Sequence, residues 1–252
     1  MNLYLPDKIE SLINEGAIFY ISHSGGKDSQ AMYNLLKNII PYNQIVVVHA
    51  NLGEVEWEGV IDHIKRNIEH ELNIVQSKTS FLEMVEKRGK FPSPAFRQCT
   101  SDLKRAPIFK FIRNDLKKRK ATIAINCTGI RAEESSARSK KEPLFYNTKE
   151  SCNKRVIRHV YNWLPIFNLT TDEIFETIRS YGQEPFWAYK KNKRLSCVFC
   201  IMGCVSDLRH GAENNPHLFK KYVELEKKIG HTMFMKKGKS IPLEEYIGKQ
   251  IS

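Results

Sequence analysis

The chain is 252 residues long, and forty Lys and Arg against twenty-eight Asp and Glu give it a net charge of +12. With 41% apolar and 27% charged residues it has a globular composition. No run approaches the roughly 18 apolar residues of a membrane span, and MNLYLPDKIESLINEG lacks a basic-then-apolar leader, so a cytoplasmic protein with no membrane association is expected.

The predicted elements alternate strand and helix. Ala17–Ile21 is a short apolar run that ends in a Ser/Gly-rich turn. Residues 29–40 follow with Met32, Leu35, Leu36, Ile39 and Ile40 at helical spacing. Ile45–Val48 is a β-branched strand, residues 60–71 carry a second helical pattern, and Leu72–Val75 is a weaker strand. Thr122–Ile125 is a further buried strand that runs into Thr128-Gly129. Leu169-Thr170-Thr171-Asp172 opens a capped helix that Gly182 stops. Residues 184–210 read as irregular, aromatic and basic, and Pro216 suits the first turn of a last helix over 216–229. Continuous apolar strands alternating with amphipathic helices predict an α/β fold: a Rossmann-like parallel sheet with helices on both faces. The division expected is an α/β nucleotide-binding domain over 1–165 and a helical, irregular, Cys-bearing segment over 166–252 packed on it.

Ser24-Gly25-Gly26-Lys27-Asp28-Ser29 lies between the first strand and the first helix pattern. Glycines let backbone N–H groups approach phosphate oxygens, the helix N-terminus adds its positive end, and Lys27 adds a full charge. The loop is not a Walker A motif, since Ile21 stands five residues before Gly26 and Asp28 follows Lys27. A plain Gly-rich connector with a Ser cap is the alternative. Further on, Gly129-Ile130-Arg131-Ala132-Glu133-Glu134-Ser135-Ser136-Ala137-Arg138 follows a strand, where an Arg suits bidentate phosphate binding. Glu134 would hold Arg131 or a magnesium ion, or serve as a helix N-terminal carboxylate; Arg138 would grip phosphate or lie on a solvated face.

SGGKDS after the first strand resembles the PP-loop of the adenine-nucleotide α-hydrolase superfamily. Arg97-Gln98-Cys99-Thr100 with Leu103-Lys104 and Pro107, the segment from Gly129 to Arg138, and Trp163-Leu164-Pro165-Ile166 resemble the branch containing phosphoadenylyl-sulfate (PAPS) reductases. The resemblance spans roughly residues 15–210. It implies ATP with Mg2+ across the carboxyl ends of the strands, held by Ser24, Gly25, Gly26, Lys27, Asp28, Ser29, Gly129, Arg131, Glu134 and Arg138. It also implies Asn51 near the adenosine, and catalytic roles for Lys27, Asp28 and Arg131.

Cys197-Val198-Phe199-Cys200-Ile201-Met202-Gly203-Cys204 sets three thiols in eight residues. In a reducing compartment disulfides are poor candidates, and such a group favours a soft metal or an iron–sulfur cluster. A [4Fe–4S] cluster on Cys99, Cys197, Cys200 and Cys204 is expected, mainly from the resemblance, with Cys152 as the alternative fourth ligand. Zinc is the competing metal, and buried thiols without metal remain open. Cys127, at a strand end, reads as core.

The family's assimilatory reductases carry a nucleophilic Cys in a C-terminal Glu-Cys-Gly-x-His segment, whereas no cysteine follows Cys204 here. The cluster-bearing adenylyl-sulfate reductases pair two cysteines where this chain has Cys99-Thr100. The kind of relative expected is instead the sulfur-transfer subunit of DNA phosphorothioation systems of the Dnd and Ssp type. Residues 83–120 hold twelve Lys/Arg against four Asp/Glu, interleaved with Phe91, Phe96, Phe109 and Phe111. That pattern fits a nucleic-acid path or, for Lys117–Lys120, a solvated helix face. Arg97, Lys104 and Arg105 are candidates for nucleic-acid or substrate phosphate. The expected function is an ATP pyrophosphatase that adenylates a nucleic-acid acceptor, DNA first, for sulfur insertion, with a cysteine desulfurase or similar sulfur donor implied by the resemblance. A divergent sulfonucleotide reductase, a tRNA thiolation enzyme and a non-catalytic metal-bearing nucleic-acid-binding module are the alternatives.

Overall fold

The chain was analysed as a computed structural model that describes residues 3–154, 156–236 and 238–248. The last residues of the Cys-free tail, 249–252, lie outside the described residues. In chain order the strands are β1 (Ile18–Ser22), β2 (Ile45–Asn51), β3 (Leu72–Gln76), β4 (Ile123–Cys127), β5 (Leu144–Tyr146), β6 (Cys152–Asn153), β7 (Ile157–Trp163), β8 (Phe234–Lys236) and β9 (Lys239–Ile241). The helices are α1 (Asp7–Asn14), α2 (Lys27–Leu36), α3 (Val60–Arg66), α4 (Phe81–Arg88), α5 (Gln98–Thr100), α6 (Ala106–Arg119), α7 (Ser136–Ser139), α8 (Thr171–Ser180), α9 (Val205–Asn214), α10 (Pro216–Ile229) and α11 (Leu243–Ile247). No described helix is long and apolar enough to cross a membrane.

Two compact units interleave along the chain. The first comprises residues 1–50, 60–75 and 108–186, and the second 51–59, 76–107 and 187–252. A single linear boundary at 165/166 cannot describe units that exchange the chain this way. Side-chain packing between distant segments defines them, and that packing leaves no mark in local composition.

The first unit is built on a sheet of order β3-β2-β1-β4-β7-β5, with β6 also paired to β7. The β1–β2, β1–β4 and β4–β7 pairs are parallel, while β5 and β6 run antiparallel to β7. Alternation along each strand feeds two cores. Phe19, Ile21, Val47, Ile125, Cys127 and Trp163 pack with Met32, Leu36, Ile174 and Ile178 of α2 and α8. Tyr20, Val46, Val48, Ala124 and Val160 pack with Phe109, Ile112 and Leu116 of α6. Helices thus cover both faces of a mostly parallel sheet, as the apolar strand runs predicted, and Cys127 is core as expected.

β7 escaped sequence reading because Arg158, His159 and Asn162 interrupt its apolar pattern. A polar row explains Asn162: Ser22 Oγ donates to Asn126 Oδ1 at 3.2 Å, and Asn126 Nδ2 donates to Asn162 Oδ1 at 2.9 Å. The row runs across β1, β4 and β7 and ties their register, each buried amide finding a partner one strand away.

In the second unit α10 matches the expected helix at both ends, with Pro216 in its first turn and Gly230 left-handed at φ 65° beyond it. The segment expected to be irregular holds a short turn over Trp187–Lys190, and α9 starts just after Cys204. α4 has a Ser80/Glu83 capping box. Between α5 and α6 the backbone takes one π-helical turn, Ser101–Arg105. Pro107 has no N–H to give the Leu103 carbonyl, so α-helical bonding is interrupted there.

Candidate functional site

The strand order reverses at β1, which has β2 on one side and β4 on the other. In open α/β sheets ligands bind beyond the carboxyl ends of the strands at such a switch point, where neighbouring loops diverge. The loops leaving β1 and β4 here are Ser24–Ser29 and Gly129–Arg138, so the topology brings together the segments that carry the first unit's candidate residues.

Gly25 is left-handed at φ 76°, and a Cβ on it would meet Val60 Cγ1 at 2.8 Å. Gly26 caps α2, so the backbone N–H groups at the helix start have no side-chain cap. Ser29 Oγ donates to the Gly26 carbonyl at 2.8 Å and accepts the Ser24 N–H at 3.2 Å, which closes the loop on itself. His23 is 2% exposed, and its Nδ1 accepts the Gly25 N–H at 3.1 Å, while its Nε2 is buried without a partner. Burial, then the neighbouring His49 and His63, lower its pKa to about 3, so the ring is a neutral acceptor.

Lys27 is buried, and its Nζ donates to Asp28 Oδ2 at 2.9 Å. Asp28 also accepts Arg131 Nε at 2.7 Å. The Arg131 guanidinium donates further to Glu133 Oε2 at 3.0 Å, the Leu169 carbonyl at 3.1 Å and Thr171 Oγ1 at 3.1 Å. With 2% of its surface exposed, Arg131 locks the two loops and the start of α8 together. Gly129 allows this approach: a Cβ there would stand 3.1 Å from the Asp28 backbone carbon. Glu134 accepts the Arg131 N–H at 3.0 Å and pairs with Arg138. Glu133 and Thr171 complete the clamp, although sequence reading gave neither a role; Thr171 also donates its N–H to Glu133 at 2.9 Å. Asn51 closes β2, accepts the Gly53 N–H at 2.7 Å, and belongs with residues 51–59 of the second unit.

The second unit holds Cys99, Cys197, Cys200 and Cys204, whereas Cys152 lies on β6 of the first. Burial pushes the Cys197 thiol up to about 12, against the pull of Lys104, and the same burial raises Cys99. Burial works against the Lys104 ammonium too, but Cys197, Glu56, Cys200 and Cys99 outweigh it and hold it above the ordinary lysine range. Cys204 Sγ lies 3.0 Å from Ser206 Oγ. Of the basic candidates, Lys104 thus sits among thiols, while Arg97 and Arg105 are exposed.

Among the described residues no three His, Cys, Asp or Glu side chains stand close enough to hold a metal ion. Thiols are nevertheless the donor type that a soft metal or an iron–sulfur cluster takes. Cys99, Cys197 and Cys200 share one electrostatic neighbourhood with a cation, and the Tyr222 hydroxyl is buried in it without a hydrogen-bond partner. An O–H donor lacking an acceptor suits anionic sulfur. A buried unsatisfied hydroxyl costs about 1–3 kcal/mol. Tyr222→Phe is therefore expected to stabilise the metal-free protein by about 1 kcal/mol in urea unfolding. Equal or lower stability would mean that the hydroxyl has a partner.

Residues 18–207 match the phosphoadenosine phosphosulfate reductase domain. The chain belongs to that family. The PAPS reductase domain thus contains the whole clamp, from Ser24 to Thr171, and the thiols from Cys99 to Cys204. Members of the family are nucleotide-utilising enzymes of sulfur chemistry. An uncharacterized protein of Methanocaldococcus jannaschii is 28% identical over 223 residues, 86% of this chain and 50% of that one. An uncharacterized 37.8 kDa protein of Escherichia phage 186 is 28% identical over 151 residues, 59% of this chain and 43% of its own. The chain therefore spans about half the length of these curated relatives. A crystal structure of a PAPS reductase from Candida auris, a phosphate complex, aligns with a TM-score of 0.45 at 12% identity over 78% of this chain and 98% of that one.

Proposed function

We propose that the chain is an ATP pyrophosphatase that adenylates a nucleic-acid acceptor, most simply a DNA backbone phosphate, so that sulfur can replace oxygen. The observation that carries this reading is the loop at the strand switch point. An uncapped helix start, Lys27 and a glycine-lined backbone meet a clamp built from Asp28 and Arg131. Such a loop binds polyphosphate through N–H groups and one cation.

In the first step a non-bridging oxygen of the acceptor attacks the α-phosphorus of ATP. The bond to the β-phosphate breaks, and pyrophosphate leaves with its negative charge held by the loop and Lys27. Asp28 keeps Lys27 in place. Arg131 orients Asp28, and Mg2+ would screen the phosphates. In the second step a sulfide equivalent attacks the activated phosphorus, and AMP departs with the former acceptor oxygen. With a persulfide donor, such as a cysteine desulfurase would supply, the S–S bond is then cleaved by a second thiol, which is oxidised to a disulfide. A [4Fe–4S] cluster on Cys99, Cys197, Cys200 and Cys204, with Cys152 as the alternative fourth ligand, would supply sulfur-binding or electron-transfer chemistry. Zinc on the same thiols would be structural.

The family match favours a second reading, a sulfonucleotide reductase. One assay set separates the two. Anaerobically purified protein with Mg2+, DNA and sulfide is expected to convert ATP to AMP and pyrophosphate, and Lys27→Ala to abolish the conversion. Sulfite release from PAPS with thioredoxin, and no pyrophosphate from ATP, would replace this reading by the reductase. Neither activity would leave the binding-module reading.

A further inference from the structure

The second unit contains a groove of about 840 Å³ between the segment from Arg88 to Ser101 and the β8–β9 hairpin with α11. That volume is within the range of small-ligand sites. Its chemistry is one-sided. Arg88, Lys90 and Arg97 line it, and no carboxylate is among its lining residues. The nearby Glu244 is paired with Lys227 at 3.7 Å, and Glu226 is turned inward, accepting the Met233 and Leu243 N–H groups at 2.8 Å. Glu226 thereby ties the hairpin and α11 to α10 and fixes one wall.

The other component is aromatic. Phe234 and Tyr246 stack at 4.2 Å with their planes 2° apart, and Phe91 lies against His231. Phe96 is 75% exposed and Met235 67% exposed, so both groove-lining side chains are open to a ligand. Phe96 is held out by a tight turn rather than by a loose loop. The Ser93 N–H donates to the Phe96 carbonyl at 3.3 Å, and the Phe96 N–H donates to the Ser93 carbonyl and to Ser93 Oγ at 3.1 Å each. Pro92 and Pro94 flank Ser93 and stiffen the turn. The turn fixes the backbone at Phe96, which removes part of the entropic cost of presenting its ring.

An exposed aromatic ring, Phe96, beside the cations Arg88, Lys90 and Arg97 is what a single nucleic-acid strand requires: a base stacks on the ring, and phosphates meet the guanidinium and ammonium groups. We propose that this groove binds a single nucleic-acid strand, with Phe96 as a stacking platform and Arg88, Lys90 and Arg97 on the phosphates. The proposal rests on the nucleic-acid-acceptor reading and names the surface that would receive the strand. These contacts use bases and phosphates, which DNA and RNA strands share.

The test uses fluorescence anisotropy of labelled oligothymidylate with the full chain, without ATP. Single strands should bind at least ten-fold more tightly than duplex of the same length. Phe96→Ala, at an exposed position that leaves folding intact, should weaken binding by about ten-fold. Phe96→Trp should restore it, and its indole fluorescence should be quenched by the strand. Arg88→Ala and Lys90→Ala should each lower the slope of log K against log salt by about 0.7. Unchanged affinity in Phe96→Ala, equal affinity for duplex, or preferential binding of hexaglutamate would overturn the proposal. Lys27→Ala protein should bind the strand normally. If wild-type protein makes no AMP yet binds the strand, the proposed activity fails and the groove assignment stands; AMP formation without strand binding has the opposite meaning.

Discussion

Arg131→Ala is expected to destabilise the protein by about 3 kcal/mol or more. The side chain is 2% exposed and makes four hydrogen bonds, two of them to the carboxylates Asp28 and Glu133. Removing one partner of a buried ion pair leaves charge and polar groups uncompensated, and that typically costs about 3–5 kcal/mol. Asp28 keeps Lys27 at 2.9 Å, which places the effect at the lower end of that range. For a chain of this size about 3 kcal/mol lowers the melting temperature by roughly 6–12 °C. Arg131→Lys should recover less than half, because an ammonium cannot span Asp28, Leu169 and Thr171 as the planar fork does. Urea unfolding and calorimetry read both variants. A melting temperature within a degree of wild type, together with lost ATP binding, would mean that Arg131 contacts phosphate directly and that the clamp is not its role. The resemblance implies a catalytic place for Arg131; in the proposed mechanism its contacts to Asp28 suit it to position Asp28 and Lys27.

The second large effect is acid destabilisation well above the ordinary carboxylate range. Burial lowers His23 to about 3 and, followed by Arg66, lowers His63 to about 4. In the unfolded chain both titrate near 6.5. As pH falls below about 6.5 the unfolded state binds protons that the folded state refuses, so stability present above that pH is lost on the way down. Each group contributes a slope of about 1.4 kcal/mol per pH unit, until the folded ring itself protonates. Between pH 6.5 and 4.5 His23 alone accounts for about 2 kcal/mol. Urea midpoints at pH 7.5, 6.0 and 5.0 should fall accordingly. His23→Asn, which retains an acceptor for the Gly25 N–H, should flatten the profile by one group's share. A profile unchanged in that variant would mean that His23 takes up its proton in the folded state. The neutral ring also matters for the proposed function, because a protonated His23 could not accept the Gly25 N–H that shapes the Ser24–Ser29 loop.

The fold class was legible because its signals are local. Buried parallel strands read as continuous apolar runs, and residues 18–21, 45–48 and 123–125 are such runs. A capping box marked the start of α8, and Pro216 in the first turn marked that of α10. The loops after β1 and β4 were legible too, since Gly-Gly-Lys and Gly-x-Arg are chemically conspicuous where strands end. The structure adds what depends on contacts between distant segments. β7 was hidden because its polar Asn162 is satisfied by Asn126, thirty-six residues earlier. The interleaved units follow from packing, to which a linear boundary is blind. Glu133 and Thr171 acquire a role only when α8 starts beside Arg131.

By itself the sequence determined the α/β class, the position of the Ser24–Ser29 loop and the grouping of three thiols along the chain, because residue type and short spacing decide all three. Tertiary structure alone decided that Arg131 is spent on protein partners, that Lys104 sits among thiols while Arg97 and Arg105 stay exposed, and that Phe96 stands at a cation-lined groove. The physical reason is that burial and pairing are properties of surroundings. A basic residue carries the same charge in every sequence; whether it meets a carboxylate, a thiol or open solvent is settled only when the chain has packed.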